Sequence, residues 1–341
     1  MYPSISIHDT DFPIKLVDEF KKNGLVVINH VFTDLECDQL MDGIINSFVQ
    51  LGTGIDLRNL EKTWKEENLP YMTRSGLFQC LMSNLKEVWD IRSHQNVEKI
   101  FETIYSGLRG KPMKDFIVSG DGINVKPNIG PIQTGQSKDW AHLDQTIRNN
   151  IYKCVQGQAV LTNTTASFVA SPKSHLVFEK VLDTLKVDSN DTSNWVKFAP
   201  NQIAVVKKIV LDHGGQWQVP ILCQKGSFII WSSTLIHSAR LQTKIETASL
   251  TDKYLGWRGV VYVCYRPKEE FTNPEIFKRQ DAYKKNRVTN HWGTKTFALK
   301  PGFWRNYIGV DYHANIVSLC KNPQLMNIPA LTEKQKKLLG F

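Results

Sequence analysis

The sequence lacks several features that would place it in a special class. No CxxC pair occurs, so free thiols in a reducing compartment are expected, not a disulfide framework or a cysteine zinc site. The six cysteines are widely spaced, at Cys37, Cys80, Cys154, Cys223, Cys264 and Cys320. No apolar run approaches the length that a bilayer span needs. The N-terminus lacks the basic-then-apolar pattern of a secretory signal. We therefore expect a cytoplasmic protein.

Internal repeats and low-complexity segments are also missing. The 341 residues are 41% hydrophobic and 22% charged, which is typical of a globular protein. The formal net charge of +9 is compatible with an anionic substrate or with nucleic acid, although a solvated basic surface is its commoner cause. The densest basic cluster, KRQDAYKKNR at 278–287, is interpreted as a solvated helix face.

The N-terminal part of the sequence predicts helices around a buried strand. FPIKLVDEFKKNG has the spacing of an amphipathic helix that ends at Gly24. The next stretch, LVVINHVF, is rich in β-branched residues and predicts a strand. Thr33 and Glu36 then form a capping box for a second helix. Another helical pattern begins near Ser93.

The pattern changes near residue 115, where short apolar runs begin to alternate with Gly, Pro and Asn turns. Such spacing predicts an antiparallel barrel or a two-sheet jelly roll, and hence a mainly β chain with flanking helices. We expect an N-terminal segment at 1–114, a β core at 115–267 and a basic extension at 268–341 within the same domain. A polar, partly helical insertion at 179–215 interrupts the core.

The segment KDWAHLDQT contains the sequence's one His-x-Asp, formed by His142 and Asp144. On a strand, residues two apart point to the same face, so both side chains could hold one metal ion. The alternative is a surface turn in which Asp144 only orients His142.

His237, in KGSFIIWSSTLIHSAR, is the best candidate for a third ligand. It lies 95 residues after His142, so two distant strands would have to meet. Two histidines and one carboxylate on one face of an iron leave positions open for substrate and oxygen. The alternative for His237 is a core histidine that bonds a backbone carbonyl.

Arg258 opens WRGVVYVCY, the first long apolar strand after His237. A dicarboxylate that chelates iron at one end needs a cation at its other end, and arginine binds carboxylates in a bidentate manner. The alternative is an edge-strand arginine that reaches solvent. Arg240 is the rival, but its offset of three from His237 places it on the opposite strand face.

Taken in order, these elements resemble the phytanoyl-CoA dioxygenase-like branch of the iron(II)/2-oxoglutarate-dependent dioxygenases. The resemblance covers about residues 15–266 and rests on KPN, HLD, VQGQAVLTNTTASFVASPKSH, KGSFIIWSSTLIH and the strand led by Arg258. It implies a cupin-like double-stranded β-helix (jelly roll). It also implies iron(II) held by His142, Asp144 and His237, with 2-oxoglutarate held partly by Arg258.

Three further residues occupy positions where the resemblance implies contact with the cosubstrate. They are Lys126, Gln156 and Trp231, although Gln156 could equally bond within its strand and Trp231 could equally be a core aromatic. Two departures bear on Arg258. Its spacing from His237 requires an inserted loop at 241–257, and Val260 replaces the serine often found two residues after the arginine.

The implied reaction is hydroxylation, in which 2-oxoglutarate and O2 give succinate and CO2. Asp144 supports hydroxylation, or demethylation through a hydroxylated intermediate, because related halogenases carry a small residue there. We expect a small-molecule substrate, with an anionic one matching the charge. Specificity would come from the insertion, the 241–257 loop and the C-terminal tail, at Trp195, Trp217, Arg287, His291 and Trp292. His291 and Trp292 could instead only pack on the barrel.

Two other classes remain open. One is a dioxygenase that acts on nucleic acid or a protein side chain, although no aromatic-and-basic motif supports nucleic acid. The other is a barrel that binds a ligand without turnover.

Overall fold

The structure is a computed structural model. It describes residues 2–71, 76–78, 80–127, 129, 140–163, 168–240, 252–297 and 311–341. Within these residues the helices are α1 (Phe12–Asn23), α2 (Asp34–Val49), α3 (Leu60–Thr63), α4 (Lys86–Arg92), α5 (Gln95–Arg109), α6 (Phe178–Thr184), α7 (Pro200–Asp212), α8 (Asn273–Lys284), α9 (Ala314–Lys321) and α10 (Glu333–Leu338). Short 3-10 turns lie at Glu66–Asn68, Met82–Asn84, Ser174–Val177, Lys268–Glu270 and Pro323–Leu325.

Two sheets and a small hairpin account for the strands of the described residues. The larger sheet contains β1 (Ser4–Ser6), β2 (Leu25–Asn29), β3 (Leu77–Phe78), β4 (Phe116–Val118), β5 (Ile123–Lys126), β7 (Val155–Val160), β11 (Phe228–Ser232) and β13 (Arg258–Pro267). The smaller sheet contains β6 (His142–Leu143), β8 (Phe168–Ala170), β9 (Val196–Lys197), β10 (Val219–Pro220) and β12 (His237–Ala239). The hairpin pairs β14 (Val288–Thr289) with β15 (Thr296–Phe297).

The strand order interleaves distant parts of the chain. It is β1-β2-β11-β7-β13-β5-β3 in the larger sheet, with β4 paired to β13, and β10-β8-β12-β6-β9 in the smaller sheet. All of these pairs are antiparallel except β1 with β2. Strands β6 and β12, which carry His142 and His237, are therefore neighbours in the smaller sheet.

The larger sheet is buried on both faces, which explains why β2 (LVVIN) and β11 (FIIWS) are almost continuously apolar. Along β2, Val26 and Ile28 join the main core with helices α1, α2, α4 and α5, while Leu25 and Val27 face the space between the sheets. The main core also includes Leu338 of α10. Residues from all three predicted segments thus share one core.

A separate apolar cluster covers the outer face of the smaller sheet. Leu143 and Ile236 from the sheet pack there with Phe178 and Val181 of α6 and Val206 of α7. The layers are therefore helices, larger sheet, smaller sheet and helices. The predicted insertion at 179–215 supplies most of the last layer and, in addition, strand β9, which the sequence pattern did not reveal.

Several local predictions are confirmed. Helix α1 ends at Gly24, whose φ of +76° and N–H bond to the Phe20 carbonyl close the helix. The Thr33–Glu36 capping box starts α2, and α5 begins after His94. The mainly β class is too narrow, because helices occupy more of the described residues than strands do. The chain is a mixed helix and sheet fold because the strands are short and helical layers cover both sheets.

All six cysteines are buried and free, as the absence of CxxC pairs predicted. No helix among the described residues has both the length and the apolar character that crossing a membrane requires.

Candidate metal site

The candidate site depends on one antiparallel pairing in the smaller sheet. His142 on β6 and His237 on β12 are directly opposed in register. Directly opposed residues project to the same face, and the two imidazole centroids lie 4.3 Å apart. Asp144 follows β6 by one residue, and its N–H bonds the Ser233 carbonyl at 3.0 Å. This pairing therefore brings His237 next to His142 and Asp144, which lie far from it in the sequence.

The three side chains converge through atoms that can bind a metal. Asp144 Oδ1 lies 3.6 Å from Nε2 of His142, and Oδ2 lies 3.2 Å from Nε2 of His237. One ligand atom from each residue falls within 4.8 Å of the others. All three residues are buried. The set could therefore hold one metal ion.

Backbone contacts fix both imidazoles in the form that a metal requires. Nδ1 of His142 lies 3.1 Å from the Trp140 carbonyl, and Nδ1 of His237 lies 2.9 Å from the Leu235 carbonyl. A carbonyl can only accept, so Nδ1 donates and the Nε2 lone pair is free to bind a metal. Trp140 also stacks on His142, with centroids 4.6 Å apart and planes at 14°.

The electrostatics of the site favour a neutral His142 and an ionised Asp144. Burial, with His237 nearby, lowers the pKa of His142 to about 4. Burial alone would raise the pKa of Asp144, but His291, His142 and His237 together hold it below its usual range. A neutral imidazole and an ionised carboxylate are the states that bind metal ions.

Gln156 and Trp231 form a cross-strand pair on β7 and β11 beside the triad. Nε2 of Gln156 donates to Oδ2 of Asp144 at 3.0 Å, so the residue contacts a candidate ligand directly. The Trp231 ring lies 5.6 Å from that of His237 and belongs to the apolar cluster between the sheets. Within the described ranges, its buried Nε1 has no hydrogen-bond partner.

Arg258 and Lys126 form a second cross-strand pair, between β13 and β5. Arg258 is 7% exposed, and its Nε and Nη2 have no hydrogen-bond partner among the described residues. Lys126 is half-buried, and burial lowers its pKa. Two facing cations on one sheet face repel each other, and buried N–H donors without acceptors are costly. This cationic pair is therefore suited to an anion.

The alternation of side chains along β13 turns Arg258 away from the main core. Val261 and Val263 pack into the main core, whereas Tyr262 packs against the cluster between the sheets. Arg258 lies four residues before Tyr262 on the same strand, so its side chain points to the same inner face. Arg240 is exposed, and its Nη2 donates to the Gln218 carbonyl at 3.0 Å. Of the predicted loop 241–257, residues 241–251 lie outside the described residues.

The C-terminal extension reaches the site through His291 and Trp292. Trp292 Nε1 donates to the Asp144 carbonyl at 3.0 Å, and Nε2 of His291 lies 3.3 Å from the same oxygen. Arg266 holds Trp292 by a 3.1 Å bond to its carbonyl and by its guanidinium, 4.9 Å from the ring. The two residues thus pack on the sheet behind a candidate ligand, which is the alternative the sequence left open.

The other predicted specificity residues are dispersed. Trp217 packs against the cluster under α6 and α7, on the far side of the smaller sheet from the triad. Arg287 is half-buried in the turn before β14. Trp195 lies 6.5 Å from His142, measured between ring centroids. The contacts of Gln156 and Trp292 to Asp144 could not be found from sequence spacing, because each crosses between strands or segments.

Comparison with known proteins identifies the fold and no family. No family model matches the sequence, and no curated protein matches it. The hypothetical protein JW0805 from Escherichia coli is 13% identical, covers 100% of this chain and 86% of its own, and has a TM-score of 0.58. A protein from Salmonella typhimurium LT2, provisionally named an oxidoreductase, is 13% identical with coverages of 100% and 86% and a TM-score of 0.56.

A more distant similarity exists to the epimerase SnoN, whose crystal structure contains Fe3+, alpha ketoglutarate and nogalamycin RO. It is 13% identical, covers 76% of this chain and 85% of its own, and has a TM-score of 0.44, which is too low to bear on function. At these identities the similarities to the Escherichia coli and Salmonella proteins establish a shared fold alone.

Replacing Gln156 with leucine should weaken metal binding. The change removes the donor to Asp144 Oδ2 while keeping the side chain's bulk. Loss of such a supporting hydrogen bond typically lowers metal affinity by about 10–100-fold. Titration of the full-length protein with Co(II) under nitrogen would measure it. Gln158→Leu is the matched control, because Gln158 lies on the same strand face without a bond to Asp144. Equal losses in both variants would contradict a specific role for Gln156.

Proposed function

We propose that this protein is a non-haem iron(II)- and 2-oxoglutarate-dependent oxygenase that hydroxylates a small molecule. The observation that carries the proposal is the convergence of His142, Asp144 and His237, with ligand atoms within 4.8 Å. Two imidazoles and one carboxylate are the donor set of iron sites that keep positions open for other ligands. The phytanoyl-CoA dioxygenase-like branch is the subfamily whose motifs the sequence resembles, and we place the chain there.

The strand order supports a double-stranded β-helix. From β5 to β8 the chain alternates between the larger and the smaller sheet, and from β10 to β13 it alternates again. The antiparallel pairing of β8 with β10 in the smaller sheet joins the two halves. In such a barrel the inner faces of the two sheets enclose a cavity in which ligands bind. His142, His237 and Arg258 would all line that inner space.

The residues around the triad are suited to holding a metal. Nε2 of both histidines remains available because each Nδ1 bonds a backbone carbonyl. Gln156 bonds Oδ2 of Asp144, which leaves Oδ1 without that bond and oriented toward His142. Trp140 stacks on His142 and limits its rotation. These contacts would hold the ligand atoms in place before the metal arrives, which lowers the cost of binding it.

The cationic pair supports 2-oxoglutarate as the cosubstrate. Two buried nitrogens of Arg258 have no hydrogen-bond partner in the part of the chain that the structure describes, and Lys126 opposes Arg258 across the strands. A carboxylate between them would supply acceptors and relieve the repulsion. We assign the carboxylate of 2-oxoglutarate that lies away from the metal to Arg258, with Lys126 as the second cation. Trp231 would supply an apolar wall beside the metal.

With iron bound, such a site consumes 2-oxoglutarate, O2 and a C–H bond and yields succinate, CO2 and a hydroxyl group, with one oxygen atom entering each of succinate and the product. The protein's part is to orient these reactants and to exclude water. The carboxylate of Asp144 fills the position that halogenases leave free, so hydroxylation is the favoured outcome. The smaller sheet's inner face would present the substrate's C–H bond.

A barrel that binds a ligand without turnover would show the same metal and cosubstrate contacts but no succinate. A nucleic-acid substrate would require a continuous basic and aromatic track, whereas a protein side chain would require only that a peptide segment reaches the metal. Succinate formation therefore separates the first alternative from the proposal, and the size of the substrate separates the second.

Replacing either His142 or Asp144 should abolish formation of the iron and 2-oxoglutarate chelate. Protein loaded with Fe(II) and 2-oxoglutarate without oxygen should show the weak visible charge-transfer band of that chelate. His142→Ala and Asp144→Ala should lose the band and, in air, the slow formation of succinate. His213→Ala, an exposed histidine away from the triad, is the control. The triad would be wrong if either ligand variant bound iron and 2-oxoglutarate like the parent.

Arg258→Lys should weaken 2-oxoglutarate binding by about 1–3 kcal/mol, because it keeps the charge and loses the planar fork. Arg240→Lys is the matched control and should change little, since Arg240 is exposed and bonds Gln218. Anaerobic titration with iron in place measures both dissociation constants. A larger loss in the Arg240 variant would show that the cosubstrate is bound elsewhere.

A further inference from the structure

Strand β9 extends the face of the smaller sheet that carries the candidate metal ligands. Its pairing with β6 sets Lys197 opposite His142 and Val196 opposite Leu143. One residue further in this register, Trp195 is opposite Asp144. Since alternate residues share a face, Trp195 and Lys197 lie on the side of the triad. Val196 packs to the other side, against the cluster under α6 and α7.

The solvent exposure of Trp195 is unusual for a tryptophan beside a buried site. It is 52% exposed although it lies 6.5 Å from the His142 ring. Scattered exposed apolar residues need no explanation, but a large aromatic face beside a buried polar site does. Such a face is suited to stacking on a flat ring.

The loop before Trp195 is fixed to the segment that carries Asp144. The Thr146 hydroxyl donates to the Asp191 carbonyl at 2.6 Å, and the Thr146 N–H lies 3.3 Å from Oδ1 of Asn194. Thr146 is buried, two residues after Asp144. The position of Trp195 is therefore coupled to that of the metal ligand. A stacked molecule would be held at a set distance from the metal.

Lys197 adds a charge to this aromatic face. It is exposed, and none of the described residues forms an ion pair with it. Residues two apart on a strand lie about 7 Å from each other. A ring on Trp195 could thus carry an anionic group that reaches Lys197. The net charge of +9 favours such anions.

We propose that Trp195 and Lys197 form the outer part of the primary-substrate site and that the substrate is a small molecule with a flat ring and an anionic group. The proposal deepens the proposed function, because the reacting carbon would be presented to the metal held by His142, Asp144 and His237. The pair of Trp195 and Lys197 matches one small molecule, whereas a nucleic-acid strand is bound by repeated stacking residues.

The test uses 2-naphthyl phosphate as the probe, titrated into the full-length protein by calorimetry. Trp195→Ala should weaken binding by about tenfold or more, on the scale of ring stacking, and Trp195→Phe should recover most of it. Lys197→Gln should weaken 2-naphthyl phosphate while leaving uncharged 2-naphthol unchanged. The controls are Phe277→Ala on α8 and Lys207→Gln on α7, both exposed, which should bind like the parent.

Unchanged affinity in Trp195→Ala, or no binding by the parent, would overturn the proposal. Tighter, Trp195-dependent and strongly salt-dependent binding of a single-stranded oligonucleotide would overturn the small-molecule class. Fe(II) and 2-oxoglutarate are titrated into the parent separately. Failure of that titration would refute the metal assignment, while the naphthyl phosphate titration would still decide the Trp195 and Lys197 site.

Discussion

The candidate site depends on the antiparallel register that opposes His142 and His237. A shift of one residue would turn His237 to the other face of the sheet, because side chains alternate along a strand. The flanking residues enforce the register, since Leu143 and Ile236 must pack into the cluster beneath α6 and α7. Core packing on one face of the smaller sheet thus fixes the chemistry on its other face.

Core packing also fixes the position of the cations Arg258 and Lys126 on the larger sheet. The alternation that buries Val261 and Val263 in the main core turns Arg258 inward, where Lys126 faces it. Placing half-buried Lys126 beside buried Arg258, with no acceptor for two Arg258 nitrogens among the described residues, lowers stability. The free energy of anion binding would offset that cost, so under the proposed function 2-oxoglutarate should stabilise the folded protein as well as take part in the reaction. Stability and function are linked at this pair.

Local chemistry made much of the fold predictable. The αL cap at Gly24 and the capping box at Thr33 depend on a few adjacent residues, and the face of Arg258 depends only on strand parity. Strand β9 could not be predicted, because two residues carry no periodicity. The bonds of Gln156 and Trp292 to Asp144 also escaped prediction, because they depend on how strands and segments pack in space. The strand pattern alone predicted a mainly β chain. The helical layers that cover both sheets make it a mixed helix and sheet fold instead.

The most direct test of the account is X-ray absorption at the iron edge of anaerobically loaded protein. The account predicts one iron per chain with scattering from two imidazoles in the parent. In His237→Ala it predicts less bound iron, with scattering from one imidazole in the iron that remains. Iron without imidazole scattering, or a His237→Ala spectrum identical to that of the parent, would contradict the central claim that His142, Asp144 and His237 hold the metal.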